Sequence, residues 1–68
     1  MKQDYRKILA DNVKKYRLLS KMSKEALSLA LGFDNSYISK LEKGKVNITL
    51  SRITKIADYF EIDIKELF

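Results

Sequence analysis

The two glycines of this 68-residue chain, Gly32 and Gly44, lie within and at the end of residues 24–44, the segment that most constrains how it folds. Glycine readily adopts the left-handed backbone conformation that ends a helix sharply, and the chain contains no proline. A short segment with apolar residues at helical spacing leads up to Gly32, and a second helical segment begins within three residues of it. The sequence therefore predicts two short helices joined by a tight turn, a helix-turn-helix over about residues 24–42.

The composition excludes most enzyme chemistries. The chain is 46% hydrophobic, enough for one small core, so we expect residues 1–68 to form a single domain. It contains no cysteine and no histidine, which removes disulfides, thiol nucleophiles and the commonest zinc ligands. We expect no enzyme activity, no metal and no cofactor. Since neither a long apolar run nor a hydrophobic signal core is present, we also expect a cytoplasmic protein without a membrane partner.

Positive charge is concentrated in the part of the chain that contains the predicted turn. Residues 1–45 contain 11 Lys or Arg and 5 Asp or Glu, whereas residues 46–68 contain 3 and 4. The basic part coincides with the two short helices, as expected for a surface that faces phosphates. Basic charge alone is weak evidence, because lysine-rich small proteins are common.

Polar N-cap residues predict where the helices begin. In chain order they are Asp4, Ser23, Asp34, Thr49 and Asp63. The first helix should run from about Tyr5 to Leu19, and Asp63 and Glu66 have capping-box spacing before a last turn. We expect an all-α domain of five helices around one core.

The third helix has an apolar side and a polar side. At about 100° per residue, burying Ile38 and Leu41 leaves a small, polar and basic side that includes Ser36, Lys40 and Lys43. Lysine can reach the O6 and N7 atoms of guanine, and asparagine can bond an adenine edge. An isolated helix of this kind would be interpreted as a solvated surface. The preceding helix, the tight turn and the surrounding charge favour a helix that lies in the DNA major groove.

Residues spread from Val13 to Leu67 also resemble those of a known family. They are Arg17, Ser23, Leu27, Ser28, Leu31-Gly32-Phe33, Ile38-Ser39, Leu41-Glu42-Lys43-Gly44, Ile56-Ala57 and Glu66-Leu67. In these residues the chain resembles the Cro/repressor-type, or XRE-type, helix-turn-helix domains of phage repressors and small bacterial regulators. Residues 37–44 and 47–50 are most similar to the controller proteins of restriction-modification systems. The resemblance implies a five-helix lambda-repressor-like domain, a homodimer on an inverted repeat of double-stranded DNA, and transcriptional control without enzyme activity.

The resemblance also implies roles for individual positions. Its base-reading positions fall on Asn35, Ser36, Ser39 and Lys40. Its phosphate contacts fall on Lys24, Tyr37, Lys43, Lys45 and Asn47, in agreement with the preference of helix N-termini and cations for phosphate. The chain departs from the family pattern at Lys24, usually Gln, at Ile48, often Pro, and at Glu61, often Gly. We therefore expect a left-handed backbone at Glu61 or its neighbour.

Two charged residues lie on apolar helix stripes. Arg17 and Glu42 each follow a core position, Val13 and Ile38, by four residues. Buried charges are costly unless they are paired, so we predict a largely buried ion pair that joins the first helix to the third. The family resemblance implies the same pair.

Apolar residues near the C-terminus predict a contact between two copies of the chain. Tyr59, Ile64 and Phe68 fall on the outer side of the last two helices, where a small domain has little interior left. We predict a two-fold dimer centred on Ile64 and Phe68. The competing interpretation is that Phe68 covers the bottom of its own core.

Two functions remain open from the sequence. The first is a dimeric, sequence-specific repressor or activator. The second is an antitoxin or another protein-partner module, which binds a toxin or antagonist and binds DNA only to regulate its own gene. We expect no additional segment to hold a toxin, which favours the first, whereas a neighbouring toxin gene or a co-purifying protein would favour the second.

Overall fold

The computed structural model describes residues 4–68, and all regular structure in that range is helical. The elements are α1 (Tyr5–Leu19), α2 (Lys24–Ala30), α3 (Tyr37–Glu42), α4 (Leu50–Tyr59) and a one-turn 3-10 helix (Ile64–Leu67). The prediction of an all-α fold with a helix-turn-helix is confirmed. The fifth predicted helix is a 3-10 helix of four residues instead of an α-helix.

Three of the predicted N-caps form through side-chain oxygen atoms. Asp4 accepts a hydrogen bond from the N–H of Arg6 (3.1 Å), Ser23 from Ala26 (3.0 Å) and Thr49 from Arg52 (3.3 Å). Each bond satisfies a backbone N–H that the first turn of a helix leaves without an intrahelical partner. The starts of α1, α2 and α4 are therefore encoded locally.

Of the other two predicted caps, one lies at a different residue and one has the predicted position without the predicted hydrogen bond. The N-cap of α3 is Ser36, because the chain makes one further turn after Asp34, in which the Asp34 carbonyl accepts the N–H of Tyr37 at 2.9 Å. Asp63 is the N-cap of the 3-10 helix, as predicted, but its carboxylate makes no capping hydrogen bond. Its backbone carbonyl accepts the N–H of Glu66 at 2.9 Å, so a backbone turn replaces the expected capping box.

All four α-helices end in a Schellman motif with one residue in the left-handed region. These residues are Lys21 (φ 56°), Gly32 (φ 75°), Gly44 (φ 72°) and Glu61 (φ 57°). The two glycines adopt this conformation freely, and both belong to the helix-turn-helix and its exit. At Lys21 and Glu61 a side chain is present, and the conformation costs about 1 kcal/mol at each. The expected left-handed backbone at Glu61 is confirmed.

One apolar core lies beneath the helix-turn-helix. It comprises Leu9, Val13, Leu27, Leu31, Ile38, Leu41, Ile53, Ile56, Ala57 and Leu67. The helix α3 packs against α1 and α2, while the 3-10 helix packs against α1 and α4. The amide of Asn12 donates to the carbonyl of Leu67 at 2.9 Å and fastens the C-terminal turn to α1. Among residues 4–68 no helix has the length and apolar character needed to span a bilayer.

Candidate nucleic-acid interface

The inner side of α3 is fixed to α1 by Arg17 and Glu42. Arg17 Nε lies 2.7 Å from Glu42 Oε2, and Nη2 lies 3.1 Å from Oε1. The remaining terminal nitrogen, Nη1, donates to the carbonyl of Met22 at 2.8 Å. The side chains are 8% and 5% exposed. The structure thus brings these two residues together as a bidentate pair with almost no access to water, the strongest geometry available to such a pair.

A second contact that fixes the position of α3 comes from α2. The side chain of Ser28 is fully buried, and its hydroxyl donates to the carbonyl of Lys24 at 2.9 Å. The same oxygen accepts the backbone N–H of Ile38 at 3.0 Å. That N–H belongs to the first turn of α3 and has no partner within the helix. Ser28 therefore sets how α3 crosses α2. The sequence signal for this role was a small residue on the inner face of α2.

The outer side of α3 carries the residues that were expected to contact bases. Asn35 and Lys40 are exposed, and Ser36 and Ser39 are half-buried, while Ile38 and Leu41 between them are fully buried. Asn35 and Ser36 lie in the turn before the helix, and Ser39 and Lys40 lie in its middle. The turn before α3 and the middle of the helix therefore present three short polar side chains and one long cation.

Ser36 is engaged by Asp34. Its hydroxyl donates to Asp34 Oδ2 at 2.6 Å, and its backbone N–H donates to the same oxygen at 3.3 Å. These two hydrogen bonds, the hydroxyl first, lower the pKa of Asp34, with a smaller contribution from the charge of Lys40. Asp34 is therefore ionised at neutral pH. The hydroxyl proton of Ser36 is committed, and Ser36 is available to a base as an acceptor.

The residues expected to contact phosphate lie at three places around α3. Lys24 is exposed at the start of α2, Tyr37 is half-buried at the start of α3, and the others follow the end of α3. That last group consists of Lys43, Lys45 and Asn47, all exposed. These three lysines therefore lie before and after α3 in the chain and outside the helix itself.

An aromatic and cationic cluster next to the turn was not indicated by any sequence motif. The rings of Phe33 and Tyr37 meet edge-on with their centres 4.8 Å apart. Arg52, from the first turn of α4, lies over both rings, and Lys55 lies 5.5 Å from the centre of Phe33. The two cations are 15 or more positions from the two rings in the sequence, so only the folded chain reveals the cluster.

The residues expected at a dimer contact do not form one compact patch. Tyr59 is 42% exposed and its hydroxyl lies 3.5 Å from the sulfur of Met22, beyond the end of α1. Phe68 is 48% exposed and lies beside Tyr5, at the start of α1. Ile64 is half-buried and packs against the core. The three side chains therefore follow the length of α1.

The chain is similar to known helix-turn-helix proteins in sequence and in fold. A helix-turn-helix family model matches residues 13–67. Control protein C.SmaI of Serratia marcescens is 33% identical over 64 residues, which are 94% of this chain and 76% of that protein. The crystal structure of the hypothetical transcription factor NHTF from Neisseria superposes with a TM-score of 0.89 at 30% identity, covering 98% of this chain and 79% of that one.

A second solved structure has the same architecture. The restriction-modification controller protein C.AhdI from Aeromonas hydrophila superposes with a TM-score of 0.84 at 30% identity, covering 93% of this chain and 96% of that one. The relatives are transcriptional regulators with a DNA-binding helix-turn-helix, not enzymes.

Proposed function

This chain belongs to the XRE-type helix-turn-helix family of DNA-binding transcriptional regulators, and on that basis we propose that it binds an inverted-repeat operator as a homodimer. In this proposal α3 of each copy lies in the major groove, and the protein acts in the cytoplasm, with the DNA. Asn35, Ser36, Ser39 and Lys40 contact base edges. Lys24, Tyr37, Lys43, Lys45 and Asn47 contact phosphates.

The arrangement of α3 is the observation that carries the proposal. A helix of six residues has little stability of its own, yet this one is fixed on its inner side by the Arg17–Glu42 pair and by Ser28. Its outer side keeps Asn35 and Lys40 exposed. A rigid helix with unoccupied polar groups on one side loses little conformational freedom when it binds, which favours specific recognition.

The flanking lysines supply affinity without sequence preference. Each lysine that neutralises a phosphate releases counterions, so binding should weaken as salt rises. The chain carries a formal charge of +5, and the flanking lysines concentrate positive charge around α3. We infer that charge brings the duplex to the protein and that α3 selects the sequence.

Two copies are needed for a useful specificity ratio. One α3 contacts few bases, whereas two copies placed about one helical turn apart, roughly 34 Å, read a palindrome. The surface available for the dimer contact is the row of Tyr59, Ile64 and Phe68, two of which are large exposed aromatics. In the proposal this row meets its own copy, with both α3 helices on one side.

Sedimentation tests the dimer. Phe68→Glu and Ile64→Glu should give monomers with weak operator binding. Leu19→Glu, on a leucine that is 69% exposed and outside the row, should remain dimeric. Because Ile64 also packs against the core, the helical spectrum of each variant must match that of the wild type. A wild-type chain that stays monomeric both free at high micromolar concentration and on DNA would refute the dimer.

Selection from random DNA tests the function itself. We expect the selection to enrich one sequence that contains two inverted half-sites about 34 Å apart. The salt concentration of the selection must be stated, because affinity depends on it. Recovery of random sequences alone would exclude a sequence-specific regulator. The Serratia relative is named a control protein and the Aeromonas relative a restriction-modification controller protein. DNA beside any linked restriction and methylation genes is therefore the first natural duplex to test, and the relatives favour a regulator over an antitoxin.

A further inference from the structure

Arg52 lies where the first turn of α4 meets the turn of the helix-turn-helix. Its Cζ atom is 4.7 Å from the centre of the Phe33 ring and 4.6 Å from the centre of the Tyr37 ring. Phe33 directly follows the left-handed Gly32, and Tyr37 is the first residue of α3. One guanidinium group thus contacts two aromatic rings from the segment that positions α3.

The surface around this contact is cationic. Arg52 is exposed, and Lys55, one turn later in α4, is exposed as well. Lys55 Nζ lies 5.5 Å from the centre of Phe33 and 3.5 Å from where a side chain on Gly32 would begin. Within residues 4–68 neither cation forms an ion pair with a carboxylate. Two unpaired cations beside the turn attract an anion from outside the domain.

The aromatic contacts leave the hydrogen-bond donors of Arg52 available. A guanidinium is attracted to the π faces of rings and donates hydrogen bonds within its own plane. In the described part of the chain no acceptor takes a hydrogen bond from its side chain. A guanidinium that is held by two rings and whose N–H groups are free to donate is suited to a phosphate. A phosphate can accept two parallel hydrogen bonds from one arginine.

We propose that Arg52, held against Phe33 and Tyr37, forms a binding site for a DNA phosphodiester together with Tyr37. The inference rests on the proposed function and extends it, because the phosphate belongs to the duplex whose bases α3 contacts. Lys43 and Lys45 follow the C-terminal end of α3, whereas Arg52 and Tyr37 hold the backbone near its N-terminal end. The two contacts together fix the register of α3 in the groove.

Salt-dependent binding of three variants tests the site. The ligands are the duplex selected by the wild type and a random duplex. Arg52→Met should weaken both about tenfold and reduce the slope of log K against log salt by about 0.9 per copy of the dimer, the loss of one phosphate contact in each copy. Arg52→Lys should keep the slope but lose part of the affinity, because an ammonium group cannot donate two parallel hydrogen bonds to one phosphate. Phe33→Leu should keep the slope and weaken binding about twofold to fivefold, the value of one cation–π contact.

The matched control is Lys14→Met, which removes one exposed cation from α1, away from the turn. Folding is checked by thermal melts, and the free wild-type protein should show Arg52 side-chain protons shifted upfield by the two rings. If Arg52→Met has the slope and affinity of the control, the site is overturned while the proposed function stands. If Phe33→Leu binds like the wild type, the role of the rings is overturned. If the wild type binds neither duplex, the proposed function fails as well.

Discussion

The two sides of α3 use charged and polar residues in opposite ways. On the inner side, Glu42 is bonded to Arg17 at 2.7 Å and 3.1 Å, and both side chains are almost completely buried. On the outer side, Asn35 and Lys40 are exposed to water. The inner charge therefore contributes to the fold, and the outer charge remains available to a ligand.

This difference explains how a helix of six residues can have a fixed position in the domain. Isolated helices of this length do not persist in water, so the position of α3 must come from its inner contacts. Those contacts are directional, since a bidentate ion pair and a shared hydroxyl fix angles as well as distances. Substitutions on the inner side should therefore change stability, and substitutions on the outer side should change binding.

The largest effect is expected from Glu42→Ala. It leaves the Arg17 guanidinium buried without its partner, which costs about 3 to 5 kcal/mol. For a domain of this size we expect Tm to fall by about 15 °C or more in a thermal melt followed by circular dichroism. Glu25→Ala, on an exposed residue of α2, is the control and should change Tm by a few degrees at most. A similar small shift for Glu42→Ala would mean that the pair is not what fixes α3.

A smaller loss of stability is expected from Ser28→Ala. The substitution removes the acceptor for the buried N–H of Ile38, and an unsatisfied group of this kind costs about 1 to 3 kcal/mol. Urea denaturation should show a lower midpoint with an unchanged slope. Faster hydrogen exchange at the Ile38 amide would locate the loss. Ser51→Ala, on an exposed serine of α4, should have no such effect. Equal midpoints for the two variants would contradict the role of Ser28 in fixing α3.

The outer lysines should affect binding and leave stability unchanged. Lys43→Ala and Lys45→Ala each remove one expected phosphate contact from each copy, so each should lower the salt slope by about one unit per copy of the dimer and weaken all duplexes alike. Fluorescence anisotropy with selected and random duplexes at several salt concentrations measures both quantities. A change in the preferred DNA sequence for either variant would mean that the lysine contacts bases instead of phosphates.

The sequence predicted the parts of the fold that depend on local chemistry. The caps Asp4, Ser23 and Thr49 and the left-handed Gly32 act within a few residues, so their spacing is sufficient. The Arg17–Glu42 pair spans 25 residues, yet it was predictable, because each charge interrupts an apolar stripe. A charge in such a place requires a partner.

Contacts of residues that do not interrupt an apolar stripe could not be predicted from the sequence. Arg52 is exposed and breaks no pattern, so nothing in the sequence linked it to Phe33 and Tyr37. Asp34 was expected to cap α3, and the extra turn that makes Ser36 the N-cap depends on how the chain leaves Gly32. These features follow from the angle between α2 and α3, which tertiary packing sets.

The most direct test of base contact by α3 is the selection of bound sequences from random DNA by two variants, Lys40→Ala and Lys45→Ala, in parallel. Lys40 lies on the outer side of α3, and its removal should change the preferred base at one position in each half-site, with a loss of about 1 to 3 kcal/mol of discrimination there. Lys45→Ala should select the wild-type sequence at lower affinity. If Lys40→Ala also selects the wild-type sequence, Lys40 does not contact bases, which would contradict the proposal that the outer side of α3 selects the DNA sequence.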